Sequence, residues 1–177
     1  MNDTAKPKAP RWRRWGLEAL IFVAGMIAFQ LWQTRHAPSG PVPNFQGTTL
    51  AGQPFDFAAW HAGHPGQPAL IYFWAEWCGV CKTTAGTVGS ISHDYPTVTV
   101  AIQSGEAAQV AKVIQERGYD FATTLADPET DIFDRFRLRA VPDMIIVTPS
   151  GEISSVTLGY TSEIGLRLRL WWAGLRS

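Results

Sequence analysis

One stretch constrains the fold more than any other: "PALIYFWAEWCGVCK", Pro68 to Lys82. Its first half, Pro68 to Ala75, is an unbroken apolar, aromatic and β-branched run. A strand buried on both faces reads this way, because neither face alternates with solvent. Just beyond it stand the only two cysteines of the 177-residue chain, Cys78 and Cys81, with Gly79 and Val80 between them. A helix is expected to begin at the cysteines and to run to about His93. That places Cys78 at the carboxyl end of a central strand and at the start of a helix, where open α/β sheets tend to carry their chemistry.

The flanking sequence supplies the rest of such a sheet. "NFQGTTLAGQPFDF" reads as a hairpin turning at Ala51-Gly52. "TVTVAIQ", from Thr97, is a second buried strand. "GEAAQVAKVIQERG" is helical, with Val110, Val113 and Ile114 on one face and Gly118 closing it. "FATTLAD" is a short strand, and "PETDIFDRFR" a helix with Pro128 at a tolerated early position. "DMIIVTPSGEISSVTLGY" forms a hairpin around Pro149-Ser150-Gly151, and "TSEIGLRLRLWWAG" a last helix with Thr161 as its cap. The order β-hairpin, βα, βα, βα, ββα predicts an α/β domain: a central mixed sheet with helices on both faces.

The amino terminus differs in kind. Trp15 to Trp32 is an eighteen-residue run whose polar members are Glu18 and Gln30. As a helix it would reach roughly 27 Å, close to a hydrocarbon core of about 30 Å. Trp12, Trp15 and Trp32 sit where indole rings favour the interface. Lys6, Lys8, Arg11, Arg13 and Arg14 precede it, and Arg35 alone follows closely. This asymmetry predicts a single-pass anchor with a cytoplasmic amino terminus and an exported body. A cleaved signal peptide is the alternative, although Arg35 and His36 interrupt its exit. The expected organisation is a basic tail at 1–14, a transmembrane signal-anchor at 15–34, a Pro/Gly/Ser-rich linker at 35–44 and an exported domain at 45–177. From Pro38 onward nine Lys/Arg face thirteen Asp/Glu, a net of −4. Such a body has no electrostatic footprint for nucleic acid.

Three chemistries compete for the cysteine pair. Haem attachment requires a His after the second cysteine, and residue 82 is Lys. A structural zinc needs four ligands. His61 and His64 of "HAGH" keep a Cys₂His₂ zinc or copper site open, but their Gly/Pro-rich surroundings read as a surface loop. Disulfide exchange needs a stabilised thiolate, and a helix amino terminus supplies free N–H groups and partial positive charge. Cys81, one turn on, lies within bridging distance.

"FWAEWCGVCK" resembles the active-site stretch of thioredoxin-like proteins. The similarity runs from about Phe45 to Trp172. The leading hairpin, the extra strand–helix insert around "LADPETDIFDRF" and the anchor resemble the TlpA-like branch of membrane-tethered, periplasm-facing thiol–disulfide oxidoreductases. "WCGVCK" followed by "TVTVAIQSG" is most similar to the suppressor-of-copper-sensitivity D type, associated with copper tolerance. The resemblance implies a thioredoxin fold with Cys78 as exposed nucleophile, Cys81 as buried resolving thiol and Trp77 flanking the site. Gly79, Val80 and Lys82 would support it. In "RAVPDMII", Val141-Pro142 matches the family's cis-proline, with the Val141 backbone offered to an extended substrate. No bound cofactor is expected beyond the Cys78–Cys81 disulfide, and no resident metal.

Three departures accompany the match. Tyr72 stands where thioredoxins carry a buried Asp, so proton handling would pass to Glu76, Lys82, Asp143 or water. The dipeptide Gly79-Val80 lacks the common proline. Gly86 replaces a helix-kinking proline, and with Gly89 nearby the helix depends on packing Val88 and Ile91. The expected partners are protein thiols and disulfides, and a membrane protein that donates or accepts electrons. The expected setting is the bacterial inner membrane, with the carboxyl-terminal domain in the periplasm. Reductase or isomerase activity is the first expectation. An oxidase is the second, and a copper-binding or metallochaperone module the reading from another class.

Overall fold

The structure, a computed structural model, describes residues 39–176 together with Glu18 and Gly25. The basic tail and the apolar span at 15–34 therefore lie outside the described residues, apart from those two. Among the described residues no helix is long and apolar enough to cross a membrane.

A six-stranded mixed sheet organises the body. Its strands are β1 (Gly40–Pro41), β4 (Ala69–Trp74), β5 (Thr97–Ile102), β6 (Thr123–Asp127), β7 (Asp143–Val147) and β8 (Glu152–Leu158). A separate hairpin pairs β2 (Gln46–Thr48) with β3 (Pro54–Asp56). The sheet order is β1-β8-β7-β4-β5-β6. β4 runs parallel to β5 and antiparallel to β7. Every residue of β4, β5 and β7 is buried. The unbroken apolar run thus forms the centre of the sheet, as its lack of alternation requires.

Five helices complete the described body: α1 (Phe57–Ala62), α2 (Gly79–Ser92), α3 (Ala107–Arg117), α4 (Asp131–Arg135) and α5 (Glu163–Gly174). α2 covers the expected span and buries Thr84, Ala85, Val88 and Ile91. α3 buries Val110 and Val113 and ends at Gly118 in the left-handed conformation. A Cβ is strained there, so glycine is the favoured stop. Phe45 packs the start of the hairpin against α1 and the end of α4. It stacks on Phe57 at 5.0 Å and meets Phe136 edge-on at 5.6 Å.

Four local features differ from the sequence pattern. Where the pattern predicts strand and loop, α1 forms. Asp56 ends β3 and caps α1 by accepting the Ala59 N–H at 2.9 Å, so His61 lies on a helix rather than in a surface loop. Pro128 precedes α4 instead of entering it. The buried Asp127 carboxylate accepts from the Ile132 and Phe133 N–H groups and holds that helix start. Ser162, not Thr161, caps α5, by accepting from Gly165 at 3.2 Å. Finally, Gly40 and Pro41, within the expected linker, pair with Ile153 and Glu152 of β8.

The two interior glycines of α2, Gly86 and Gly89, differ physically. Gly86 is exposed, and a Cβ built on it meets nothing within 4 Å. At Gly89 a Cβ would stand 3.1 Å from the Asp120 carbonyl oxygen. Gly86→Ala should therefore stabilise the domain by about 0.5–1 kcal/mol through helix propensity. Gly89→Ala should give no such gain or should destabilise it. Urea unfolding followed by tryptophan emission measures both.

Candidate active site

Strand β4 ends at Trp74, and Ala75-Glu76-Trp77 turn the chain so that the Cys78 N–H donates to the Ala75 carbonyl at 3.2 Å. Cys78 is then the N-cap of α2, in extended geometry. Its Sγ accepts the Cys81 N–H at 3.1 Å. A sulfur occupies the place usually taken by Ser or Asp, and the helix's free N–H groups and partial positive charge converge on it. No acidic side chain in the first turn of α2 opposes that field. The two cysteines form a disulfide with Cα atoms 5.2 Å apart. In this oxidised state both are largely covered: Cys78 is 7% exposed and Cys81 2%. Cys78, expected as an exposed nucleophile, is buried in this oxidised state.

The turn before Cys78 is held by residues that carry no sequence motif. Ser104 Oγ accepts the Glu76 N–H at 2.9 Å. Arg117 donates to the Glu76 carbonyl at 2.9 Å. The Trp77 indole N–H donates to the Gln103 carbonyl at 3.2 Å, leaving the ring 59% exposed. Gln103 and Ser104 follow β5, the parallel neighbour of β4. Their one signal in the sequence is position: parallel strands bring their carboxyl ends to one edge.

Val141-Pro142 is cis and enters β7. The Val141 carbonyl oxygen lies 3.7 Å from Cys78 Sγ. As a disulfide sulfur, Sγ has no proton to donate, so this is a contact; a reduced thiol there could donate to it. The Pro142 carbonyl accepts the Gly159 N–H at 2.8 Å, which ties this loop to the end of β8. Gly159 has φ +84°, and its two neighbours Leu158 and Tyr160 are exposed. Trp77, Val80, Leu158 and Tyr160 are exposed apolar residues on the segments that surround the disulfide, with the half-buried Val141 among them. Gly79 and Lys82 are exposed on the first turn of α2.

Tyr72 is a pillar rather than a base. Its hydroxyl donates to the Cys81 carbonyl at 3.3 Å and lies 2.8 Å from Thr84 Oγ1. Burial pushes its phenol further above the ordinary value, so it stays neutral. Asp143 does not transpose the missing acid. It pairs in register with Phe73, and Tyr72 pairs with Met144. Directly opposed residues share a face, so Asp143 lies on the other side of the sheet from Tyr72. It is buried, and its Oδ1 finds no hydrogen-bond partner among the described residues. Desolvation pushes its carboxyl up to about 7, with only the Met144 N–H opposing. Glu76, the other expected proton carrier, is half-buried, and the bonds found at this residue are those of its backbone.

His61 and His64 make their contacts within and beside α1. The His61 ring stacks on Phe57 at 5.7 Å, and burial pushes its pKa down. His64 Nδ1 lies 2.8 Å from the Trp60 carbonyl oxygen. Among the described residues no group of three or more His, Cys, Asp or Glu converges in a form that could hold a metal ion.

Asp143 makes stability depend on pH with a definite sign. Its folded value near 7 lies above the ordinary 3.8, so the folded state holds the proton more tightly. Stability from this group is fully present below about pH 4 and is lost as pH rises through about 7. Asp143→Asn removes that loss. Urea unfolding should find the variant and wild type similar near pH 4, and the variant more stable by about 2–4 kcal/mol above pH 8. A constant difference across that range would refute the buried carboxyl as its source.

Residues 38–156 match the AhpC/TSA family. A thioredoxin-like protein of Haemophilus influenzae is 35% identical over 108 residues, 60% of this chain and 64% of that protein. The chain thus spans less than two thirds of that relative's length. A thiol:disulfide interchange protein DsbE homolog of Paracoccus denitrificans is 30% identical over 84 residues, 48% of this chain and 46% of that protein. Among solved structures, MTB dsbF, described in mixed oxidized and reduced forms, superposes with a TM-score of 0.62 at 28% identity, covering 73% of this chain and 94% of that one. A thioredoxin-fold body with a Cys-x-x-Cys disulfide at the start of a helix, matched over most of its length, makes this chain a member of the AhpC/TSA family.

Proposed function

We propose that the chain is a protein thiol–disulfide oxidoreductase working through Cys78 and Cys81. The observation that carries this reading is the position of the pair: a disulfide whose Cys78 sulfur caps α2 and touches the Val141 carbonyl. The similarity to an interchange protein of Paracoccus denitrificans supports it.

In the reducing direction the Cys78 thiolate attacks a substrate disulfide. A mixed disulfide forms, and the first substrate sulfur leaves as a thiolate that takes up a proton. Cys81, deprotonated, then attacks Cys78 Sγ. The mixed disulfide breaks, the second substrate thiol is released, and Cys78–Cys81 closes. Two electrons pass from enzyme to substrate, and an external dithiol must return them. The Cys81 N–H and the amino terminus of α2 stabilise the Cys78 thiolate that makes the first attack. An extended substrate segment would lie along Val141, with Trp77, Val80, Leu158 and Tyr160 as an apolar rim. Asp143, next to Pro142, holds or releases a proton near neutrality and is the nearest candidate in sequence to the cis-proline loop for proton handling. Glu76, half-buried before Cys78, and Lys82, exposed on the first turn of α2, are the other candidates. The exchange needs no bound cofactor.

Reductase or isomerase is the direction we favour. The periplasm is already oxidising, so a tethered member is most useful there as a source of reducing equivalents. Two things support that location: the basic-flanked apolar run at 15–34, and the presence of a secreted antigen of Mycobacterium tuberculosis among the relatives. The copper-related subtype rests on Gly79-Val80 and the strand after it. A metallochaperone is the reading from another class; stoichiometric copper on the reduced protein without disulfide exchange would favour it.

Cys81→Ser should accumulate a mixed disulfide between Cys78 and its substrate, identifiable by mass spectrometry. Cys78→Ser should reduce insulin no faster than the uncatalysed background. Equal rates in wild type and Cys78→Ser would rule out catalysis by this pair, and a potential near that of strong oxidants would reverse the direction.

A further inference from the structure

Helix α5 has two apolar faces. Leu166, Leu170 and Ala173 are fully buried. At about 100° per residue, Ile164, Leu168, Trp171, Trp172 and Leu175 fall in an arc roughly 100° wide on the opposite side. These five are 73%, 60%, 57%, 55% and 60% exposed. Scattered surface hydrophobics need no explanation, but a contiguous stripe with two indoles marks an interaction surface.

The charge around the stripe narrows its partner. Arg169 is exposed along one margin, and Arg176 is exposed just beyond the helix end. Among the described residues Arg169 bonds to the Gly165 carbonyl of its own helix. On the other margin, Arg167 is held by Glu163 and Asp94. No acidic residue occurs between Ile164 and Arg176, a stretch with three arginines inside a body of net −4. A second copy docked on the same face would present the same arginines and no carboxylate from that stripe to receive them. Phosphate headgroups above an acyl boundary match both features: apolar side chains and indoles enter the interface, and guanidinium groups meet the anions.

We propose that this face of α5 lies in the headgroup region of an anionic bilayer. The proposal rests on the membrane-tether reading of 15–34 and is independent of disulfide exchange. Only a few residues separate Trp32 from β1, so a tethered body is held near the bilayer at high effective concentration, where a weak interfacial helix suffices. α5 is bound to the far half of α2 and to the turn after it, through Ser90 to Glu163 and Arg167 to Asp94. Docking α5 therefore sets the direction in which the disulfide-bearing end of α2 faces.

The test uses the full chain in vesicles of phosphatidylcholine with about 30% phosphatidylglycerol, some acyl chains brominated, and in vesicles of phosphatidylcholine alone. Flotation reports the tether. The emission of wild type minus that of Trp171→Phe/Trp172→Phe isolates the two rings. Brominated lipid should quench that difference about twofold or more in anionic vesicles, and less in neutral ones. Arg169→Glu/Arg176→Glu should erase the dependence on anionic lipid. Chains that float while the pair stays unquenched overturn the docking and leave the tether standing, whether aqueous acrylamide reaches the rings or a second copy shields them. Chains that fail to float overturn the tether and this inference together.

Discussion

The site depends on one hydrogen bond, from the Cys81 N–H to Cys78 Sγ. It makes a sulfur the cap of a helix, and it needs β4 to end at Trp74, four residues before Cys78, and α2 to begin at once. β4 is held there because it is buried on both faces at the centre of the sheet. α2 is held by Val88 and Ile91 in the core and by Tyr72 beneath the Cys81 carbonyl. The field at the sulfur is therefore a consequence of packing far from it. A helix with two interior glycines and no acidic first turn would not hold that geometry alone.

The second constraint is the sheet edge where β4, β5 and β7 meet the site. β5 delivers Gln103 and Ser104 to the turn before the cysteines, and β7 delivers Val141-Pro142. Three segments distant in sequence thus surround one disulfide. The parallel pairing of β4 with β5 and the antiparallel pairing of β4 with β7 decide this. Tyr72 and Asp143 show how strictly the pairing acts. One residue of register separates the face under α2 from the face of the phenylalanine cluster, and the buried acid falls on the second.

Much of this is legible in the chain because it rests on local pattern. The apolar run identifies the central strand, the Cys-x-x-Cys spacing identifies the paired thiols, and Gly118 marks the end of α3. Local pattern fails where adjacent polar residues compete. Asp56 caps α1 rather than ending in a loop, and Ser162 rather than Thr161 caps α5. Both alternatives satisfy local capping rules, and only packing of the following helix selects between them. Gln103, Ser104, Arg117 and Gly159 carry no motif, since their part is played by backbone groups and by position.

By itself the sequence determined the setting of the thiols: two of them one helical turn apart, behind a strand that must be buried. Tertiary structure decided what surrounds them. It set Tyr72 as a neutral support, isolated Asp143 with an unmet oxygen, and left one stripe of α5 uncovered while its opposite face filled the core. The division has a physical reason. Periodicity and spacing are short-range and can be read along the chain, whereas desolvation and the covering of a face depend on what other segments bring to it.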